Sequence, residues 1–264
     1  MKRFWSQLTT RDFEALDPAR TVAVLPIAAT EQHGPHLPVS TDTAIAEGQI
    51  AEVVARLPDD APVLFLPVLA YGKSDEHLTF PGTLTLSAET LIAVITEIGA
   101  SVASAGLKKL IIINSHGGNV EVMGIAARRL RIEHQLFVVA TNWLRFGQPK
   151  GLFGEEEERL GIHGGDIETS LMLHFHAEEV QMEKAKNFVS LSAAMERDYE
   201  KLRATGPVSF AWLTQDLHPS GAVGDAAAAT AEKGARSAAW AVEGFMALLQ
   251  DVASFPLENV SLKS

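Results

Sequence analysis

The 264-residue chain contains no cysteine. Disulfides and thiolate metal sites are therefore excluded, and any bound cation must be held through nitrogen and oxygen. A basic excess is also missing: 22 Lys and Arg stand against 33 Asp and Glu, a formal net charge of −11. That disfavours nucleic acid as a partner, because phosphate backbones are gripped by positive patches. It leaves an anionic small substrate open, since a bound cation can dominate the local field. No apolar run approaches the ~20 residues of a bilayer span. The opening stretch MKRFWSQLTTRDFEALDPAR lacks the apolar centre of a signal peptide. The expectation is a cytoplasmic chain with no membrane partner. With 47% hydrophobic and 21% charged residues it reads as one globular domain, residues 1–264.

What is present alternates. Residues 21–29 (TVAVLPIAA), 63–70 (VLFLPVLA), 110–114 (LIIIN) and 136–143 read as strands. Pro67 restricts the second to an edge, an end or a bulge. Helical spacing marks 43–57, 88–105 (capped by Ser87 and closed at Gly106), 119–131, 167–176 and an alanine-rich 226–249. Strands alternating with helices predict an α/β fold with a mostly parallel sheet. Residues 144–161 read as a loop or mobile cover, and 177–216 have no clear period. Ligands of such sheets bind outside the carboxyl ends of the strands. Glu31 and His33, residues 71–77, His116 and Trp143 follow the four strands in turn, so all four segments are expected to meet at one rim.

Two clusters at these ends have the donors that zinc, manganese and iron prefer. In Glu31-Gln32-His33 the two donors are two residues apart and share a face in extended backbone. Asp42 follows a Gly-Pro turn; it can bridge two cations or simply cap the next helix. His116 lies in Asn114-Ser115-His116-Gly117-Gly118-Asn119, as a ligand or as a turn histidine. A His-Gly-Gly string also occurs in oxyanion loops of serine hydrolases, but the Gly-x-Ser-x-Gly elbow they require is absent. His163 and Glu168 flank a Gly-Gly turn. Glu168 suits a metal, the orientation of His163 as an acid–base group, or a helix dipole. His36 and His77 are candidates for supporting hydrogen bonds; His134, His174 and His176 read as surface or core histidines. Trp143 suits either a pocket wall or the core.

Five strings in order, EQHGPHLPVSTD (31–42), GKSDEHLTFPGTLTL (72–86), NSHGGN (114–119), HGGDIETSLML (163–173) and PSGAVGDAAAATAEKG (219–234), resemble the creatininase (creatinine amidohydrolase) family over roughly residues 20–240. The resemblance implies an α/β/α layered fold, a homo-oligomer (commonly a hexamer), and metal-dependent hydrolysis of C–N bonds. It implies one or two divalent ions (Zn2+, Mn2+ or Fe2+), with Glu31, Asp42 and His116 on one and His33 and Asp42 on the other. His163 matches the family's proton-transferring, substrate-contacting histidine. Creatininase has His-Tyr-Glu where this chain has His116-Gly117-Gly118. Either Glu168 replaces the missing glutamate, or the second metal is weakly held, or one metal binds. The His-Gly-Gly-Asn form is more similar to branches that deformylate a formamide or cleave a peptide. The expected activity is hydrolysis of a small cyclic amide or formamide by a metal-activated water, with His163 and Glu168 catalytic. Ser74, His77, Gly117, Trp143 and His163 are the expected substrate contacts. A lactone or phosphoester hydrolase, or a non-catalytic metal-binding protein, are the alternatives.

Overall fold

Four short parallel strands organise the molecule, which a computed structural model describes over residues 2–260. They are β1 (Val22–Ile27), β2 (Val63–Phe65), β3 (Lys109–Asn114) and β4 (Phe137–Asn142), in the order β2-β1-β3-β4. The helices are α1 (Thr10–Glu14), α2 (Thr41–Arg56), α3 (Ala88–Ser104), α4 (Val120–Glu133), α5 (Glu155–Leu160), α6 (Asp166–Phe175), α7 (Leu191–Asp198), α8 (Thr214–Leu217) and α9 (Ala231–Ser254). A separate antiparallel pair joins β5 (Asn187–Phe188) to β6 (Gly224–Asp225).

The central strands are apolar on both faces because both faces are covered. Ala23, Leu25 and Ile27 of β1, with Leu110 and Ile112 of β3, pack against Leu91 and Ile95 of α3 and against Val122, Ala126 and Leu130 of α4. Their alternate neighbours Val22, Val24, Ile111 and Ile113 meet Ile50 and Val53 of α2 and Val242, Phe245 and Leu249 of α9. The result is the expected α/β/α layering, with α6 added outside α2 and α9. Ser87 caps α3 by accepting from Thr90 N–H, and Gly106 turns the chain out of that helix at φ +90°. β2 is an edge strand that ends at Phe65, two residues before Pro67. Among the described residues no helix is long and apolar enough to cross a membrane.

Two segments differ from their sequence reading. Residues 144–161 are not a mobile cover: Leu152, Phe153, Glu157 and Leu160 are buried, and α5 forms there. The alanine-rich segment splits, with a 3₁₀ turn at Ala226–Ala228 before Thr230 caps α9.

The strand order fixes where a ligand can go. From β1 the chain crosses to β2 on one side, then returns to β3 on the other. The crevice beyond the carboxyl ends of β1 and β3 is thus the switch point at which such sheets bind ligands. Glu31 and His116 emerge there.

Candidate metal centre and its cavity

Beyond β1 the chain is held by cross-links rather than by a strand: Leu84 N–H donates to the Thr30 carbonyl, Glu31 N–H to Val39, and Gln32 N–H to Thr83 Oγ1. These fix Glu31, Gln32 and His33 at the rim. After β3 two asparagines do the same. Asn114 exchanges hydrogen bonds with the His116 backbone, and Asn119 bonds to Asn114, to the Ala28 carbonyl and to Lys73 N–H. The loop after β3 is thereby tied to β1 and to the segment after β2. Asp42 lies in the first turn of α2 and makes no cap; its carboxylate faces the histidines instead.

His33 and His116 each have one ring nitrogen tied and the other free. His33 Nδ1–H donates to the Glu31 carbonyl (3.0 Å), which leaves Nε2 facing Asp42 at 3.5 Å and Glu168 at 3.8 Å. His116 Nε2–H donates to the Lys73 carbonyl (2.8 Å), leaving Nδ1 at 3.1 Å from Glu31 and 3.6 Å from Asp42. Three triads at the site have donor atoms within 4.8 Å of one another: Glu31, Asp42 and His116; His33, Asp42 and Glu168; and Glu31, His33 and His163. Asp42 belongs to the first two. Glu168 therefore completes the second triad in the absence of a glutamate at 118.

The donor set fits a cation on a direct observation. Both carboxylate oxygens of Glu31, Asp42 Oδ2 and His33 Nε2 are buried without a hydrogen-bond partner. Leaving ionised oxygens so desolvated is costly unless a positive charge balances them. In the metal-free protein protons fill that role. Burial pushes His33 and His116 down, but the facing carboxylates outweigh it: Asp42 holds His33 at about 9 and Glu31 holds His116 at about 10. Burial raises Asp42, and lifts Glu168 to about 7 against the pull of His33. Glu31 is kept ionised despite its burial by His116 and the other imidazoles around it.

His163 is brought to the same place by backbone pairing with Val223. Its Nδ1 lies 3.6 Å from Glu31, and burial beside His33 and His77 holds it well below the usual histidine range. The Gln32 carbonyl orients its ring through Nε2–H (2.6 Å). Glu168 does not perform that task; its carboxylate accepts from Gly164 N–H (2.6 Å) and faces His33.

A cavity of about 550 Å³ opens onto Glu31, His77, His116, Gly117 and His163. Two expected substrate contacts lie elsewhere. Trp143 is 4% exposed in the core, against Phe146 and Phe245, because its side chain turns to the α9 face of the sheet. Ser74 is buried behind His116, with Oγ 3.3 Å from Nε2. Several wall residues escaped the sequence reading. Lys73 and Glu76, paired at 2.9 Å, were inside a quoted string but matched no metal pattern. Phe210, Trp212 and Thr214 come from the stretch without a period. His134, His174 and His176 lie away from the site, and His174 pairs with Glu52 at 2.8 Å.

Comparison with known proteins gives the family of the chain. A family model described as creatinine amidohydrolase matches residues 6–249. A mycofactocin precursor peptide peptidase of Mycolicibacterium smegmatis is 32% identical over 240 residues, 89% of this chain and 86% of that protein. A creatinine amidohydrolase of Pseudomonas putida is 30% identical over 202 residues, 69% of this chain and 75% of that one. Among solved structures, a mutant creatininase of Zn-Zn type superposes with a TM-score of 0.76 at 25% identity, covering 97% of this chain and 100% of its own.

Proposed function

This chain belongs to the creatininase family of hydrolases, and from that premise we propose that it hydrolyses an amide C–N bond with the help of two divalent cations, zinc, manganese or iron. The observation that carries the reading is the set of buried, unpartnered oxygens on Glu31 and Asp42, flanked by imidazole nitrogens whose far ends are already engaged. Glu31, Asp42 and His116 would hold one ion, and His33, Asp42 and Glu168 the other. When bound, such a pair lowers the pKa of water from 15.7 towards ~7 and polarises a carbonyl.

The remaining work falls to the chain. His163, neutral and with Nδ1 bare towards Glu31, is suited to take a proton from the attacking water and deliver it to the departing nitrogen. The cavity walls would orient the substrate, with Phe210 and Trp212 offering apolar surface and Lys73 and Glu76 a charged pair in its lining. Its volume of about 550 Å³ lies within the ~300–1,000 Å³ of drug-sized ligand sites. Substrates are therefore not limited to a single small ring. The relatives' names include both a peptide peptidase and a creatinine amidohydrolase, so peptide amides belong beside cyclic amides and formamides as candidates.

The test is a hydrolysis screen over short peptides, cyclic amides, formamides, lactones and aryl phosphates, with chelation and add-back of each metal. Amide turnover that chelation abolishes is the expected result, and Asp42→Ala should lose both the metal and the activity. Full metal content in Asp42→Ala, or turnover confined to lactones or phosphates, would remove the proposal.

A further inference from the structure

His77 is in none of these triads, yet its ring faces the same carboxylate as His116 and His163. Nε2 lies 3.4 Å from Glu31 Oε1, and the residue lines the cavity. Which end of this ring carries the proton follows from Gln32. Backbone groups fix the Gln32 amide. Its Oε1 accepts from Gly34 N–H (2.9 Å), and its NH₂ donates to the Gly221 carbonyl (2.8 Å). Neither partner can exchange roles, because a backbone N–H only donates and a carbonyl only accepts. The second amide hydrogen is then aimed at His77 Nδ1, 2.7 Å away. Nδ1 is consequently the bare nitrogen and the proton sits on Nε2. The Thr214 hydroxyl, 2.9 Å from Nδ1, donates to the Glu76 carbonyl at 3.1 Å and does not decide the tautomer.

The same residue fixes His163 the other way round. The 2.6 Å approach of His163 Nε2 to the Gln32 carbonyl requires a proton on Nε2. The Gln32 amide nitrogen also comes within 3.2 Å of that atom, but both its hydrogens are committed. The two rings, 4.4 Å apart between centroids, thus carry the proton on the same nitrogen but are turned end for end. Towards Glu31 and the cavity, His163 shows a lone pair and His77 shows an N–H.

We propose that His77 is a further catalytic residue, donating its Nε2–H to the substrate carbonyl oxygen as negative charge grows there, and that Gln32 is the positioning residue that sets both rings. This deepens the amide-hydrolase reading and rests on it for the identity of that oxygen. A neutral N–H held ready in the cavity wall is the kind of donor whose loss costs ~10²–10³-fold in turnover. His163 is left free to move protons.

The test uses zinc-loaded full-length protein with ¹⁵N-labelled histidine rings, and inorganic phosphate as a tetrahedral oxyanion probe. Ring ¹⁵N signals should report Nε2–H for both His77 and His163. In Gln32→Glu, which has no hydrogen to donate, the His77 proton should move to Nδ1. Phosphate should perturb the His77 Nε2–H signal. Its Kd should rise about tenfold or more in His77→Ala, as for a lost hydrogen bond to a charged group. His77→Gln, which can present an amide N–H at the same place, should recover much of that loss at unchanged zinc content. A wild-type proton on Nδ1, an unmoved proton in Gln32→Glu, or equal phosphate affinity in wild type and His77→Ala would each overturn the proposal. None of these readouts needs amide turnover, so a failed amide screen and a failed His77 assignment are distinguishable.

Discussion

At the scale of single residues the site is a problem of uncompensated charge. Glu31 and Asp42 are 0% and 1% exposed, and in the metal-free protein their balance comes from protons on His33 and His116. Both rings have pKa values above their ordinary 6.5, at about 9 and about 10. Metal must displace those protons, so rising pH favours metal over the range in which the rings are still protonated in the apo form. Zinc affinity should therefore increase with pH until about 9 to 10, with proton release detectable by calorimetry in buffers of different ionisation enthalpy. A pH-independent affinity would contradict the assignment. The sign for apo stability is opposite. A raised histidine pKa contributes stability fully below 6.5, and the contribution is lost as pH climbs through 9 to 10. The candidate donors themselves were legible, because Glu31, His33, Asp42, His116 and Glu168 sit in short strings of carboxylates and imidazoles. Gln32 and Glu76 were not, since an amide or a carboxylate acting by hydrogen bond or charge pair leaves no spacing signature. Trp143 was ambiguous for a physical reason: a strand end offers both a rim and a core face, and the sequence does not say which one the side chain takes.

At the scale of elements, the loop after β3 shows why two glycines follow His116. A Cβ on residue 118 would be built against the Glu76 carboxylate, the Lys73 carbonyl and the His116 ring at once. The backbone carbonyl cannot retreat cheaply, so the strain would fall on the His116 imidazole, a candidate ligand. Gly118→Ala should weaken metal binding by about 10–100-fold, the range for damaged supporting contacts. Gly117→Ala, which meets nothing within 4 Å, is the control. Equal zinc affinity in the two variants would show that the crowding is absorbed elsewhere. α5 has a comparable supporting role. The buried Glu157 carboxylate accepts from Ile167 N–H (3.3 Å) and Asp225 N–H (2.8 Å), joining the turn that carries His163 and Glu168 to β6. Residues 144–161, with the acidic run Glu155–Glu158, read as a loop or mobile cover because a single inward carboxylate among four looks the same in sequence as an outward one.

On the scale of the whole molecule, the layered sheet was readable from its alternation of strand and helix, and from LIIIN, whose unbroken apolarity demands cover on both faces. The stretch 177–216 was not. α7, α8 and the turns between them are held by distant partners such as Val223, and carry no period of their own. α9 closes one face through Phe245, 0% exposed, 5.1 Å from Trp143 and 6.4 Å from Phe65 between ring centroids. Phe245→Ala should cost ~3–5 kcal/mol. For a chain of this size that lowers Tm by roughly 6–20 °C. Zinc stoichiometry at low temperature should be unchanged, since α9 holds the scaffold and supplies no donor. Loss of metal without loss of Tm would mean that the layer and the rim are coupled in a way the packing does not show.

The donors that would surround the ions come from residues 31–42, 116 and 168, and no two neighbouring turns of one helix hold more than one of them. A nascent chain consequently cannot offer the full donor set until residues 31–42 have been joined by His116 and Glu168. Charging with metal would then be completed late rather than serve as a template for folding. Since nitrogen and oxygen donors of this kind discriminate weakly among transition ions, the pool the completed protein meets would decide which ion it carries.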